Sequence, residues 1–170
     1  MTIAFTYLTQ PPARYTFEMP QLKAWVEQWC RGQTLNLFGG KIRLKIDEEI
    51  SNDIDTTMPT IHHMDAMQLV DSWTGPPFDT IVLDPPYNLR KAREKYNGRF
   101  IGSFTKIKDH LIPIMAERAR VISLGYDTVG MSRRRGFHKI AIVVVCHGGD
   151  HNDTLGVVEE RTNTNIWRFE

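Results

Sequence analysis

Apolar residues recur along this chain in two rhythms, and the changes of rhythm mark its elements. Leu22, Trp25, Val26 and Trp29 fall at helical spacing behind Pro20, whose fixed φ suits a first turn, and Gly32 stops the pattern. A helix from about Pro20 to Cys30 is predicted. The stretch before it, Thr9 to Phe17, reads as loop. Thr34 to Phe38 is a short apolar run that enters a Gly39-Gly40 turn, the mark of a buried strand. Ile42, Leu44 and Ile46 then alternate with Lys41, Arg43, Lys45 and Asp47, the period of two expected of a half-exposed strand. Ile50 to Ile54 reads as a further short strand ending at acids, and Met64 to Trp73 as a short helix after Asp65. Phe78 to Leu83 is the clearest strand, apolar and β-branched until it halts at Asp84-Pro85-Pro86. Ile107, Leu111, Ile114 and Met115 predict a helix over Lys106 to Glu117, interrupted by Pro113. Val121 to Leu124 and Ile140 to Cys146 read as buried strands, with Leu155 to Val158 as a terminal hairpin partner of the latter.

Strands alternating with helices imply an α/β fold, a doubly wound and mostly parallel sheet with a terminal antiparallel hairpin. In such sheets ligands bind beyond the carboxyl ends of the strands. Gly39-Gly40 and Asp84-Pro85-Pro86-Tyr87 both follow strands at that edge.

With 170 residues, the chain falls in the range of one domain and is short for a catalytic fold plus a separate recognition domain. One unit over residues 1–170 is expected. Its 41% hydrophobic and 24% charged content is that of an ordinary globular protein, and no apolar run approaches the roughly 18 residues of a membrane span. The N-terminus shows no secretory signal, so a cytoplasmic location is expected. Two cysteines, Cys30 and Cys146, make no disulfide framework and are read as buried thiols. The net charge of +1 conceals a local excess. Between Asn88 and Lys108 stand Arg90, Lys91, Arg93, Lys95, Arg99, Lys106 and Lys108 against Glu94 alone, with Tyr96, Phe100 and Phe104 interleaved. Basic and aromatic side chains in one segment suit phosphate contact plus base stacking. Arg133-Arg134-Arg135 is a second basic cluster, facing solvent or phosphate.

Asp84-Pro85-Pro86-Tyr87 carries the candidate chemistry. An exocyclic base amine is a poor nucleophile because its lone pair is delocalised into the ring. Two acceptors for its hydrogens, the Asp84 carboxylate and the Pro85 carbonyl, would hold the nitrogen nearer to tetrahedral and free the lone pair. Pro85 and Pro86 fix the backbone and offer no competing N–H. Tyr87 supplies a face on which a base rotated out of its stack can rest. His62-His63 with Asp65, and Cys146-His147 with His151 and Asp153, hold metal-ligand residue types. Neither has the paired spacing of a zinc site, and this chemistry needs no metal.

On these residues the chain resembles the class I S-adenosylmethionine-dependent amino-methyltransferases, a family that includes enzymes methylating N6 of adenine in DNA. Asp84-Pro85-Pro86-Tyr87 matches the family's catalytic tetrapeptide in full. Thr34-Leu35-Asn36-Leu37-Phe38-Gly39-Gly40 resembles its cofactor loop, which implies that Asn36, Phe38, Gly39 and Gly40 approach the methionine part of S-adenosylmethionine. Asn36 stands where an acid is common, and Ile42 where a further glycine is. By position, Asp53 is the match for the family's ribose-binding acid, with Asp47 and Asp55 as rivals, and Asp65 for its contact to the adenine ring. Each acid also reads as a helix cap or a solvated loop residue. Thr16 and Phe17, within Arg14 to Pro20, resemble the element that closes over the methionine; a loop anchored by two aromatics is the alternative.

The resemblance implies transfer of a methyl group to adenine N6 in DNA, with double-stranded DNA as partner and Arg90, Lys91, Arg93, Lys95, Tyr96 and Arg99 contacting it. A homodimer would supply enough contact on a duplex. The runner-up is an RNA base N-methyltransferase acting on adenine N6 or guanine N2 of ribosomal or transfer RNA. A third reading, a non-catalytic partner that has lost donor binding, has only the unusual cofactor loop in its favour.

Overall fold

The computed structural model describes residues 2–85 and 104–162. Its elements in chain order are β1 (Ala4–Thr9), a 3-10 turn (Thr16–Glu18), α1 (Pro20–Trp29), β2 (Thr34–Asn36), β3 (Glu49–Ser51), α2 (Ala66–Ser72) and β4 (Phe78–Leu83). After the undescribed segment come α3 (Phe104–His110), a 3-10 turn (Ile112–Ile114), β5 (Met115–Gly125), a 3-10 turn (Arg133–Arg135), β6 (Phe137–Cys146) and β7 (Thr154–Arg161).

The strands form one sheet in the order β1-β6-β7-β5-β4-β2-β3. All neighbours are parallel except β7, which runs antiparallel to both β5 and β6. The doubly wound sheet and its terminal hairpin are those the sequence predicts. On one face Leu35, Ile81, Leu83 and Val121 pack against Leu69 and Val70 of α2 and Ile107 of α3. On the other, Val82, Ile122, Val143 and Val158 pack against Leu22, Trp25 and Val26 of α1. Trp25 reaches the sheet at Gly156, where a Cβ would stand 2.6 Å from Val143 Cγ1 and 3.2 Å from the Trp25 ring. That glycine admits the indole.

Four expectations are corrected. Residues 42–46 form no strand: Ile42, Leu44 and Ile46 pack against the α1 side of the core, so their alternation reports a buried side and not a paired backbone. The connection from β2 to β3 is thus an irregular crossover in place of a helix. The helix over Lys106 to Glu117 ends at His110; Pro113 sits in a 3-10 turn, and Met115 already begins β5, which extends well before Val121. The strand after Gly40 is shorter than Ile50 to Ile54, spanning Glu49–Ser51. Finally, β1 was not anticipated, and Thr16–Glu18 interrupts the predicted loop with one 3-10 turn. Among the described residues no helix is long and apolar enough to cross a membrane.

Candidate active site

Six parallel strands end at the same edge of the sheet, and the loops that leave them wall a cleft of about 670 Å³. That volume lies within the roughly 300–1,000 Å³ typical of small-molecule sites. The cleft sits where the winding reverses, β2 leading to β3 on one side and β4 to β5 on the other, the switch point at which doubly wound sheets bind ligands.

The floor is built around Gly39 and Gly40. The Gly39 N–H donates to the Asn52 carbonyl at 2.7 Å, and a Cβ on Gly39 would press on Thr60 Cγ2 at 3.0 Å and Ser51 Cβ at 3.3 Å. Gly40 has φ +59°, and a Cβ there would meet nothing within 4 Å. One glycine is therefore packed tightly behind the loop, while the next faces open space with a backbone conformation that other residues rarely adopt. Asp53, 4% exposed, braces this turn: Oδ2 accepts from the Gly40 N–H at 3.1 Å and Oδ1 from the Asp55 N–H at 2.9 Å. Asp53 lines the cleft. Asp55 also lines the cleft; hydrogen bonds from the Thr57 backbone and hydroxyl hold its carboxyl below the ordinary range. Asp47 does not line it.

The buried Asn52 joins the loops that build this floor. Its Nδ2 donates to the carbonyls of Leu37 at 3.3 Å and Met64 at 3.0 Å, and its Oδ1 accepts from the Met64 N–H at 3.0 Å. Sequence reasoning passed over it because an asparagine between strand and acid reads as an ordinary turn residue.

Thr16 and Phe17 line the facing wall, as does Phe38 beside the glycines. The wall is tied to the floor through Tyr15, whose ring centroid lies 5.9 Å from Lys41 Nζ and 5.5 Å from Arg14 Cζ. At the end of β4, half-buried Asp84 and buried Pro85 enter the same cleft. Pro86, Tyr87, Arg90, Lys91, Arg93, Lys95, Tyr96 and Arg99 lie outside the described residues.

Two expected cofactor contacts are placed elsewhere. Asn36 is fully buried and does not line the cleft; its Nδ2 donates to Glu49 Oε1 at 3.1 Å, because the register of β2 on β3 puts the two side chains on the same face of the sheet as diagonal neighbours. Asp65 caps α2, its Oδ1 accepting from the Met67 N–H at 2.9 Å and the Gln68 N–H at 3.3 Å, and it too is absent from the cleft wall. Lys108, counted in the basic segment, is buried, with Nζ donating to the Gly130 carbonyl at 2.6 Å. Desolvation by burial lowers its pKa. In the arginine triplet Arg133 and Arg134 are exposed, whereas Arg135 pairs with Asp109 at 2.6 Å.

Other cleft residues were not anticipated. Tyr126 follows β5, and the loop from His147 to Asn152 follows β6. His147 is held at both nitrogens, Nδ1 2.9 Å from the Gln10 carbonyl and Nε2 2.8 Å from Thr154 Oγ1. The signal available in the sequence was Gly148-Gly149, a second double-glycine turn directly after a strand; both glycines have positive φ.

Sheet order, the single antiparallel strand and the cleft position define a Rossmann-like fold of the class I methyltransferase type. Among solved structures, a conserved hypothetical protein from Streptococcus pyogenes superposes with a TM-score of 0.58 at 14% identity, over 86% of this chain and 96% of that one. YhhF from Escherichia coli, assigned as a methyltransferase, gives 0.57 at 12% identity over 91% and 89%. A Listeria monocytogenes protein assigned as a class I S-adenosylmethionine-dependent methyltransferase gives 0.55 at 11% identity over 86% and 60%. No protein-family model matches the chain, and no curated protein matches it in sequence.

Proposed function

We propose that this chain transfers a methyl group from S-adenosylmethionine to the exocyclic N6 amine of adenine in DNA. The observation that carries the reading is the convergence of Asp84 and Pro85 with the Gly39-Gly40 turn and Asp53 on one cleft. The open face of Gly40 and the adjacent Phe38 suit the methionine part of the donor, and the Asp53 carboxylate at the cleft wall suits its ribose hydroxyls. Bound there, the donor supplies an electrophilic methyl group.

The work of the chain's own residues is on the amine. The Asp84 carboxylate accepts one amine hydrogen and the Pro85 carbonyl the other, which draws the lone pair out of conjugation. As the nitrogen gains its methyl group and a positive charge, the Asp84 charge stabilises it. Pro86 and Tyr87 complete the tetrapeptide, and the basic segment with Arg90, Lys91, Arg93, Lys95, Tyr96 and Arg99 supports a nucleic-acid substrate on composition.

The test pairs calorimetry with S-adenosylmethionine and mass spectrometry of nucleosides after incubation with duplex DNA and, separately, with RNA. N6-methyladenine in the DNA digest is expected. Asp84→Ala should abolish transfer while donor affinity stays within about threefold, since Asp84 acts on the amine. A methylated base found in RNA alone would overturn the DNA assignment, and an Asp84→Ala chain that loses donor affinity as much as rate would overturn its role.

A further inference from the structure

Among the described residues, the outer edge of β1 is an unguarded pairing surface. Natural proteins protect sheet edges with charges, prolines or bulges. Residues 2–10 contain no charged residue and no proline, and β1 runs beside β6 in unbroken register. Among the described residues no strand pairs with its other side. Ile3, Phe5 and Tyr7 are 44%, 66% and 59% exposed, and their spacing of two places them on one face.

The backbone orientation can be read from a single bond. The Gln10 N–H donates to the Cys146 carbonyl at 3.1 Å, so even-numbered residues turn their backbone groups toward β6. Backbone groups alternate sides along a strand, which leaves those of Ile3, Phe5, Tyr7 and Thr9 directed outward. The segment is also close to symmetric about Thr6, with Phe5 and Tyr7 on either side and Ala4 and Leu8 beyond.

We propose that β1 pairs antiparallel with β1 of a second copy of this chain, about a twofold axis through Thr6. Phe5 then faces Tyr7 of the second copy as a hydrogen-bonded pair, and Ile3 faces Thr9, so every outward backbone group is used. A slip by one residue would bring inward-directed groups to the interface. A slip by two would break the Phe-Tyr pairing, setting Phe5 against Thr9 or Tyr7 against Ile3. The register through Thr6 sets all four rings in mixed aromatic pairs, the favoured cross-strand arrangement.

The area indicates the strength. Four rings of roughly 150–250 Å², each about 60% exposed, offer roughly 400–600 Å², and the strand edges add to this without reaching the size of a permanent interface. The dimer is therefore a concentration-dependent equilibrium. It rests on the fold alone, and is measured without donor or nucleic acid, so its outcome is independent of the methyl-transfer reading.

Sedimentation velocity over a broad concentration series is expected to show reversible self-association. Thr6→Lys, which sets two like charges face to face, should abolish it while circular dichroism stays unchanged. Thr6 is expected at a non-hydrogen-bonded position, where Cα atoms on paired strands approach to about 4.5 Å, within disulfide reach. Thr6→Cys should accordingly cross-link as a dimer under mild oxidation, whereas Phe5→Cys and the unaltered chain should not. A chain that sediments as a monomer at every concentration overturns the proposal. So does cross-linking through position 5 in preference to position 6.

Discussion

Asp53 and Gly40 work as a pair, because the carboxylate that braces the turn is also the one proposed to meet a ribose. Asp53→Ala should weaken S-adenosylmethionine binding by about 1.5–3 kcal/mol, the range for a hydrogen bond to a charged group. Calorimetry on Asp53→Ala and Asp55→Ala side by side checks it; a loss confined to Asp55→Ala would move the ribose contact to the more exposed acid. At this scale the site was partly legible. The position of the glycines, Phe38, Asp53 and Asp84 on the cleft was legible because each stands at or just beyond a strand end, the edge at which such sheets form their clefts. Asn36 and Asp65 were not separable from ligand-binding residues, since a buried amide on a glutamate and an N-cap need the same side-chain chemistry as a cofactor contact. His147 stayed hidden because its partners, Gln10 and Thr154, come from opposite ends of the chain.

Helices and strands meet here through a few close contacts. Trp25 of α1 rests where Gly156 leaves room on β7, so Gly156→Val should cost about 1–3 kcal/mol by overpacking, read as a lower denaturation midpoint at unchanged slope. On the same strand, Glu160 receives Arg118 at 2.9 Å and Arg120 at 3.2 Å, with Arg31 at 3.4 Å. Burial alone would raise the Glu160 pKa; the hydrogen bonds from Arg118 and Arg120 and the charge of Arg31 outweigh it and hold the carboxyl below its ordinary 4.5. A carboxyl depressed by folding adds stability at pH above its unfolded value, and that stability is lost as pH falls through the folded value. Glu160→Gln should therefore lower unfolding free energy by about 1–2 kcal/mol at neutral pH, with the difference vanishing in acid. Denaturant titrations of both chains across that range measure it; a deficit that persists at low pH would mean lost packing instead. The elements that were legible, α1 and β4 above all, combine periodicity with a stop residue. Residues 42–46 misled because alternation records which side is buried, whether or not the backbone is paired. β1 escaped notice because it is open on its aromatic face, so its apolar residues mark no interior. Leu111 and Ile114 continued a helical spacing across the point where the chain turns into β5.

At the scale of the whole molecule, among the described residues the two halves of the sheet are hydrogen-bonded to each other only through β7. It lies between β5 and β6, bonded to each along nearly its full length, and it is the last described strand in the chain. Its burial is sustained by Glu159, 1% exposed, which accepts from the Met131 and Ser132 backbone and lies 3.5 Å from Lys139 Nζ. The strands that carry Asp84 and the Gly39-Gly40 turn thus stand on one side of β7, and those that carry Thr16 and His147 are anchored on the other. During synthesis every other described strand leaves the ribosome before β7 does. Until residue 161 has emerged, β5 and β6 can present their central edges to solvent and to each other's wrong partners, and the two walls of the cleft lack the strand that joins them. Assembly of the cleft is in that sense a late event: the order of the strands in space obliges the nascent chain to complete β7 before its walls are joined through one sheet.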